Sequence, residues 1–367
     1  MGIDKSINFY DNYIYIDKIS NQDIESFSNN LLISEMLNER FQKINEYSII
    51  PYSSTSVIGE NIYNIFYLKI LSNKYNDFDY NQWIENISSN YEFTSKDYYL
   101  SLEKMSNKIK SYHLNPMNKN KILVKERVYP NTLLGSKRIG SIDSLSIGEF
   151  NKEEISERIP VSLDNSNLHI SKVDGILNIH KLEDIKHISP IYVPHEVFQE
   201  KPPILQGQSI NTICYYFGIN DEYSKMIYGP MLQGYLTQYG HSVLFKKLRI
   251  KDFQLYHFEA HFDQETNILF IQYIVDEIWK VKVRESIITE IVGLSITKED
   301  FQTMKMFISN EYRFKFSKHF GILNYIIGLG NKFFQFKDIL EVISNIEIHE
   351  FLNFLDNKKL ISIINER

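Results

Sequence analysis

The stretch KDILEVISNIEIHEFLNFLDNKKLISII, close to the C-terminal end, carries the clearest order of periodicities in the chain. Apolar residues recur at helical spacing, pause at a polar turn, recur at helical spacing again, and then alternate as in a strand. The pattern predicts helix, turn, helix and closing strand, the order of a winged helix-turn-helix. The second helix, IHEFLNFLDNKK, is acidic and apolar where a DNA-reading helix is basic and polar. That disfavours DNA and favours docking of a peptide or protein.

The other end has a related order. NFYDNYIYIDKI alternates like a strand, Ser20 and Asp23 in SNQD resemble a helix start, and IESFSNNLLISEMLNERFQKI follows at helical spacing. A second periodic stretch, ENIYNIFYLKILSNKY, is expected to be helical too, so residues 1–85 are expected to form a winged-helix-like docking module. Alanine is scarce, so helices here depend on tertiary packing rather than propensity. SKDYYLSLEKMSNKIKSYHL is expected to be helical and to break at LNPMNKNK. Strands are expected at NLHISK, GILNIHKL and TICYYFG, and helices at GPMLQGYLTQYG and VRESIITEIVGL. The segment VPHEVFQEKPPILQGQ is expected to be a loop, because Pro202 and Pro203 forbid regular structure there. No internal repeat of fixed period is visible.

Charge and thiol content exclude several classes. A net charge of −6 argues against a broad nucleic-acid surface. The single cysteine, Cys214, cannot form an internal disulfide and reads as a small buried hydrophobe, which fits a reducing cytoplasm. No run of about 18 apolar residues is long enough for a membrane span. Gly2 and Ser6 match the loose myristoylation pattern.

The segment LYHFEAHFDQETNILF, Leu255 to Phe270, poses the chemical question. His257 and His261 stand four apart, as two metal ligands on one helical face would, but Glu259 is misplaced for an H-E-x-x-H site. The reading preferred here is a long helix with a polar start and an apolar end. Phosphate-binding loops of the GxxxxGK[ST] and GxGxxG kinds are absent, as are GxSxG and Cys-His nucleophile patterns.

The series VDGILNIHKLEDIKHIS, HFEAHFDQETNILF and ITEIVGLSITKED, preceded by YEFTSK and KERVYP, resembles in order the motifs of the SagB-type flavin dehydrogenases. These enzymes oxidise azolines to azoles in thiazole/oxazole-modified peptides. The likeness covers about 90–310. It implies an α+β chain in which a nitroreductase-like domain, 86–310, lies between the 1–85 module and a winged-helix-like helical module at 311–367. It further implies FMN, with Arg138, Ser141 and Ser162 toward its phosphate, Gln264 and Asn267 toward its ring, and Lys247 as the proton-transfer group. Asp143 stands where the family has an arginine, the loop around Pro160 and Ser162 lacks the family's glycines, and Leu248 replaces a tyrosine. Two readings follow: a working azoline dehydrogenase, or a non-catalytic scaffold that holds a precursor peptide or a catalytic partner such as a cyclodehydratase or dehydrogenase subunit. The resemblance implies a homo- or heterodimer. SLDNSNLHISKVDGILNIHKL also resembles part of the lantibiotic dehydratases, a further alternative.

Overall fold

The computed structural model describes residues 10–19, 22–44, 49–58, 61–71, 79–89, 93–130, 132, 140–145, 155, 157–160, 162–173, 176–182, 194, 196–200, 207–218, 221–238, 244, 248, 255–264, 266–317 and 339–366. The chain is α+β and forms two compact units. Unit 1 holds residues 1–114 and 136–187, and unit 2 holds 115–135 and 188–367. The boundaries expected at 85/86 and 310/311 are not the limits of these units.

Unit 1 is built on a five-stranded sheet of order β2-β3-β1-β4-β5. Its strands are β1 (Tyr10–Lys18), β2 (Ile49–Ile58), β3 (Asn61–Leu71), β4 (Leu168–Val173) and β5 (Ile176–Leu182). The helices are α1 (Ile24–Ile44), α2 (Tyr80–Ser89) and α3 (Ser95–Leu114). The alternation of β1 puts Tyr13 and Tyr15 on one face, where they join Phe66 and Leu68 of β3 and Met36, Leu37 and Phe41 of α1. Asp23 opens α1, its carboxylate accepting the Ser26 N–H at 2.7 Å. Ser20, the other residue expected at this start, lies outside the described residues. The expected helix in ENIYNIFYLKILSNKY is instead strand β3, paired with β1 on one side and β2 on the other. Its Ile, Tyr and Phe side chains are buried on both faces, which removes the alternation that marks a half-exposed strand.

Helix α4 (Pro116–Val128) follows α3 at once but belongs to unit 2. Asn115 caps it by accepting the Met117 and Asn118 N–H groups, and Pro116 occupies the first turn, where no N–H is needed. The proline therefore ends one helix and begins the next. A four-residue helix, α5 (Ile142–Leu145), returns the chain to unit 1.

Unit 2 has a second five-stranded sheet, β6-β10-β7-β9-β8. Its strands are β6 (Val197–Glu200), β7 (Gln208–Phe217), β8 (Leu255–Asp263), β9 (Ile268–Asp276) and β10 (Lys358–Glu366). Helix α6 (Gly229–Gln233) is flanked by wider π-type turns at Ser224–Tyr228 and Gly234–Gln238. The remaining described α-helices are α7 (Lys280–Val292), α8 (Lys298–Ser317), α9 (Ile339–Asn345) and α10 (Ile348–Asp356). One sheet face packs on α4 through Val124, Val128, Cys214, Phe270 and Ile364. Cys214 is fully buried, and loss of solvent drives its thiol far above the ordinary range, so it is an inert core residue. The opposite face is aromatic. Phe217 of β7 stacks on Phe354 of α10 at 4.4 Å between ring centroids, and Phe262 of β8 meets both edge-on.

The long helix expected from Leu255 is instead the hairpin β8–β9, paired from Leu255↔Val275 to Asp263↔Ile268. Tyr256, Phe258, Ala260 and Phe262 alternate with His257, Glu259, His261 and Asp263, so the two-residue period decides the structure and the H-x-x-x-H spacing is incidental. Asn267 turns the hairpin with φ +55°, a left-handed conformation that asparagine tolerates. Helix, turn, helix and strand are present at α9, α10 and β10, as the C-terminal pattern predicts. However, β10 does not form a small wing. It lies between β6 and β7, antiparallel to β7 and parallel to β6.

Read from the β8 end, unit 2 has the order β8-β9-β7-β10-β6, which matches β2-β3-β1-β4-β5 in unit 1. In both, an initial strand is followed by a helix and then a hairpin whose second strand pairs with the initial strand. The two units therefore share a four-strand arrangement without a visible sequence repeat, and differ at the fifth strand: β5 follows β4 and is antiparallel to it, whereas β6 precedes β7 in sequence and is parallel to β10.

At Gly229, α6 lies close against β8. A Cβ there would lie 2.1 Å from the Phe262 ring. That ring is buried against Phe217 and Phe354 and has nowhere to move. Gly229→Ala is expected to destabilise the protein by about 1–3 kcal/mol, read as a lower denaturation midpoint with an unchanged denaturant slope.

Candidate functional site: the outer edge of β8

An open sheet leaves unpaired N–H and C=O groups along its edge strands, and these must be covered or used. Side chains are described at three of the four edges. In unit 1, the Asn38 amide of α1 pairs with both backbone groups of Ser53 in β2. Its Nδ2 donates to the Ser53 carbonyl and its Oδ1 accepts the Ser53 N–H, each at 2.8 Å. Ser34 adds hydroxyl contacts to Ser53 and Thr55, and Pro51 contributes no donor. In unit 2, β6 is four residues long, and Pro202 and Pro203 follow it closely in sequence.

Strand β8 is different. It is nine residues long and proline-free, and among the described residues it pairs only with β9. Gln233 of α6 accepts the Phe262 N–H at 2.8 Å. This is the counterpart of the Asn38 contact. Ser53 lies on the rung Ser53–Phe66–Tyr15, and Phe262 on the rung Phe262–Leu269–Tyr215. Both units thus lay an amide from the preceding helix on the edge strand. In unit 2 this contact takes the N–H alone. Because the Phe262 N–H points outward, the two-residue period turns those of Ala260 and Phe258 the same way. Tyr256, toward the start of the strand, is 56% exposed.

The polar face of β8 is fixed by α4. Lys121 and Lys125, one helical turn apart, reach Glu259 at 2.5 Å and Asp263 at 2.6 Å. His257 lies 3.4 Å from the other Glu259 oxygen. Partial burial raises the Glu259 carboxyl, but the bond and charge of Lys121, with His257 behind them, outweigh it and hold the group below its ordinary value. Behind this row, Gln272 donates to Thr212 at 3.2 Å in the buried layer under α4.

The site residues implied by the flavin resemblance do not form one described cluster. Arg138 and Lys247 lie outside the described residues. Ser141 and Ser162 are in unit 1 and contact different elements: the Ser141 N–H donates to Ser28 of α1, and the Ser162 carbonyl accepts from Tyr15 of β1. Gln264 and Asn267 are brought together, but in the β8–β9 turn of unit 2, where the Asn267 carbonyl accepts the Phe217 N–H at 2.9 Å. Asn267 is thus a turn-forming residue. Among the described residues, no group of three His, Cys, Asp or Glu side chains could hold a metal, and no helix is long and apolar enough to cross a membrane. The residues that sequence reasoning missed are Lys121, Lys125 and Gln233. The i,i+4 lysine pair on a helix facing alternating acids on a strand is their only signal.

Comparison with known proteins gives two results, and no family profile matches the chain. The antilisterial bacteriocin subtilosin biosynthesis protein AlbE of Bacillus subtilis is 27% identical over 164 residues. The match covers 44% of this chain and 42% of AlbE, so the chain aligns with less than half the length of that relative. Among solved structures, a conserved protein of Enterococcus faecalis has a TM-score of 0.66 at 13% identity, covering 98% of this chain and 93% of that one. A protease from Helicobacter pylori has a TM-score of 0.65 at 12% identity, covering 98% of this chain and 94% of that one. A peptidase M16 inactive domain from Pseudomonas fluorescens has a TM-score of 0.62 at 11% identity, covering 98% and 93%. The chain therefore has an M16-like fold, and in place of the nitroreductase-like domain expected from the motif series it has two five-stranded sheets that share the arrangement of four strands. A motif order built from short, loosely matched strings reports local composition, and long-range strand pairing overrides it.

The Lys121–Glu259 pair makes a testable contribution to stability. Because the Glu259 carboxyl is depressed in the folded state, its contribution is present above the unfolded-state value, about 4.3 for glutamate, and is lost as the pH falls through the folded value. The stability difference between the natural protein and Lys121→Met should therefore be largest near neutrality and shrink on acidification, as measured by urea unfolding across that range.

Proposed function

We propose that this chain is a non-catalytic, peptide-holding component of bacteriocin biosynthesis. It would bind a linear precursor peptide as an added strand along β8 and present it to a modifying partner enzyme. The observation that carries this reading is the outer edge of β8 from Leu255 to His261. It is free of proline and unpaired among the described residues, with a register shift between Leu255 and His257 and a regular run from His257 onward, and Gln233 covers its far end. Strand addition recognises peptides by their backbone, with alternate side chains reading the neighbouring face. Here one face would meet Tyr256 and Phe258, and the other His257 and Glu259. The similarity to AlbE supports the biosynthetic setting. The peptidase fold supports peptide as the ligand, while the sequence has neither the H-E-x-x-H nor the H-x-x-E-H helix motif of metallopeptidases.

The alternation that sends the Ala260 N–H outward makes a selective test possible. Ala260→Pro deletes that donor without removing a bond to β9. The linear precursor of the source organism's own bacteriocin, carrying a fluorescent label, should bind the natural protein. It should bind the variant at least about tenfold more weakly, equal to some 1.4 kcal/mol, with circular dichroism and melting temperature little changed. Equal binding to both proteins would refute the edge reading. The same preparations separate the scaffold from an FMN-dependent dehydrogenase. A scaffold stays colourless after incubation with FMN and desalting, whereas a retained flavin absorption band would favour the enzyme.

A further inference from the structure

The polar face of β8 carries a preference for one kind of guest side chain. Along the regular run from His257, the outward backbone groups belong to Phe258 and Ala260, and Glu259 lies between them. In an antiparallel added strand, the more stable arrangement, the guest residue opposite Glu259 falls in a non-hydrogen-bonded pair, where facing side chains come closest. That guest side chain lies on the α4 side of the sheet. Its two neighbours in the peptide turn to the other side, beside Phe258 and Ala260.

Lys121 of α4 reaches this position. An ammonium has three N–H groups. Glu259 takes one, at 2.5 Å, and Lys121 makes no other hydrogen bond among the described residues. The Lys121 and Glu259 side chains are 29% and 34% exposed, so a guest can reach both. Both Glu259 oxygens already face a cation or an imidazole, Lys121 on one and the more distant His257 on the other. A guest that donates meets occupied acceptors, whereas a guest that accepts meets spare donors. His257 and His261 stand two residues to either side on the same face, within diagonal reach of a long guest side chain.

Charge favours the same guest. Helix α4 carries Lys119, Lys121, Lys125 and Arg127, more cations than its own Glu126 and the two β8 carboxylates, Glu259 and Asp263, neutralise. The chain already places one lysine between two carboxylates elsewhere: Lys104 of α3 binds Glu35 at 2.6 Å and also Glu39. A guest carboxylate beside Lys121 would repeat that arrangement.

We infer that the polar face of β8 selects an acidic residue, a peptide Asp or Glu seated opposite Glu259 and accepting from Lys121. The placement of that residue in an added strand rests on the function proposed above. The preference for a carboxylate rests on Lys121 and its surroundings.

Three blocked heptapeptides test this: Ser-Thr-Val-X-Val-Thr-Ser, with X as Glu, Gln or Lys and a neutral fluorophore at one end. Each is titrated with the full chain at low ionic strength, where ion pairs are least screened, and binding is read by fluorescence anisotropy. The Glu peptide should bind about three- to fivefold more tightly than the Gln peptide, the scale of a half-exposed ion pair, and the Lys peptide more weakly than either. Lys121→Met should bring the Glu-to-Gln ratio to one or below, and Lys121→Arg should restore it. The ratio is taken within one protein, so a general loss of stability does not alter its meaning. Equal binding of Glu and Gln peptides by the natural protein, a preference for Lys, a Glu preference that survives Lys121→Met, or no binding of any peptide would each overturn the inference. Ala260→Pro separates it from the edge reading. If all three peptides bind equally and all weaken in Ala260→Pro, the carboxylate preference fails and the edge reading stands. If the Glu preference depends on Lys121 but not on Ala260, the carboxylate site stands and the edge reading fails.

Discussion

Backbone groups along the edge of an open sheet cannot be left dry and unpaired, and this requirement organises both units of the protein. Each sheet has five strands, so each has two edges to manage. At β2 the cover is nearly complete, because the Asn38 amide imitates a neighbouring strand and Ser53 is buried beneath it. At β6 the strand is simply short. At β8 a single amide oxygen plugs one end. Among the described residues, the same topological position is thus sealed in one unit and covered at one end in the other.

Beneath the edges, each sheet is held by a different arrangement. In unit 1, alternate residues of β1 and β3 meet α1 through large aromatic and aliphatic side chains. In unit 2 the aromatic rings of Phe217, Phe262 and Phe354 lock the hairpin, the central strand and α10 together, while α4 closes the other face. The charged row on β8 sits at the margin of that second face. Its lysine partners come from α4, a helix whose sequence neighbour α3 belongs to unit 1. The position of the β8 face therefore depends on where α4 packs, which joins the core of unit 2 to its candidate site.

Much of the local structure was legible in the sequence. The strand in NFYDNYIYIDKI, the helix after Asp23, the buried strand around Cys214 and the order of α9, α10 and β10 all follow from periodicity and capping. Three stretches were misread: Val197–Glu200 is strand β6, paired with β10, within a segment whose prolines suggested a loop throughout, and two others were misread for opposite reasons. The stretch that becomes β3 is apolar on both faces, so its two-residue period is masked. The stretch that becomes β8 alternates cleanly, but two histidines four apart suggested a helical face. What local pattern cannot supply is strand pairing. Nothing in LISIIN announces that it inserts between β6 and β7 rather than closing a small wing. The candidate site was hidden for the same reason, because an edge exists only once the order of strands is known.

The central place of β10 in its sheet has a consequence for biosynthesis of the chain itself. Unit 1 has all its described strands once residue 182 has emerged, so its sheet can close while the ribosome is still working. Unit 2 cannot: β6 and β7 have no strand between them until Lys358–Glu366 is translated. Until then their facing flanks and the apolar residues destined for α4 stay wet, a state open to mispairing with other nascent chains.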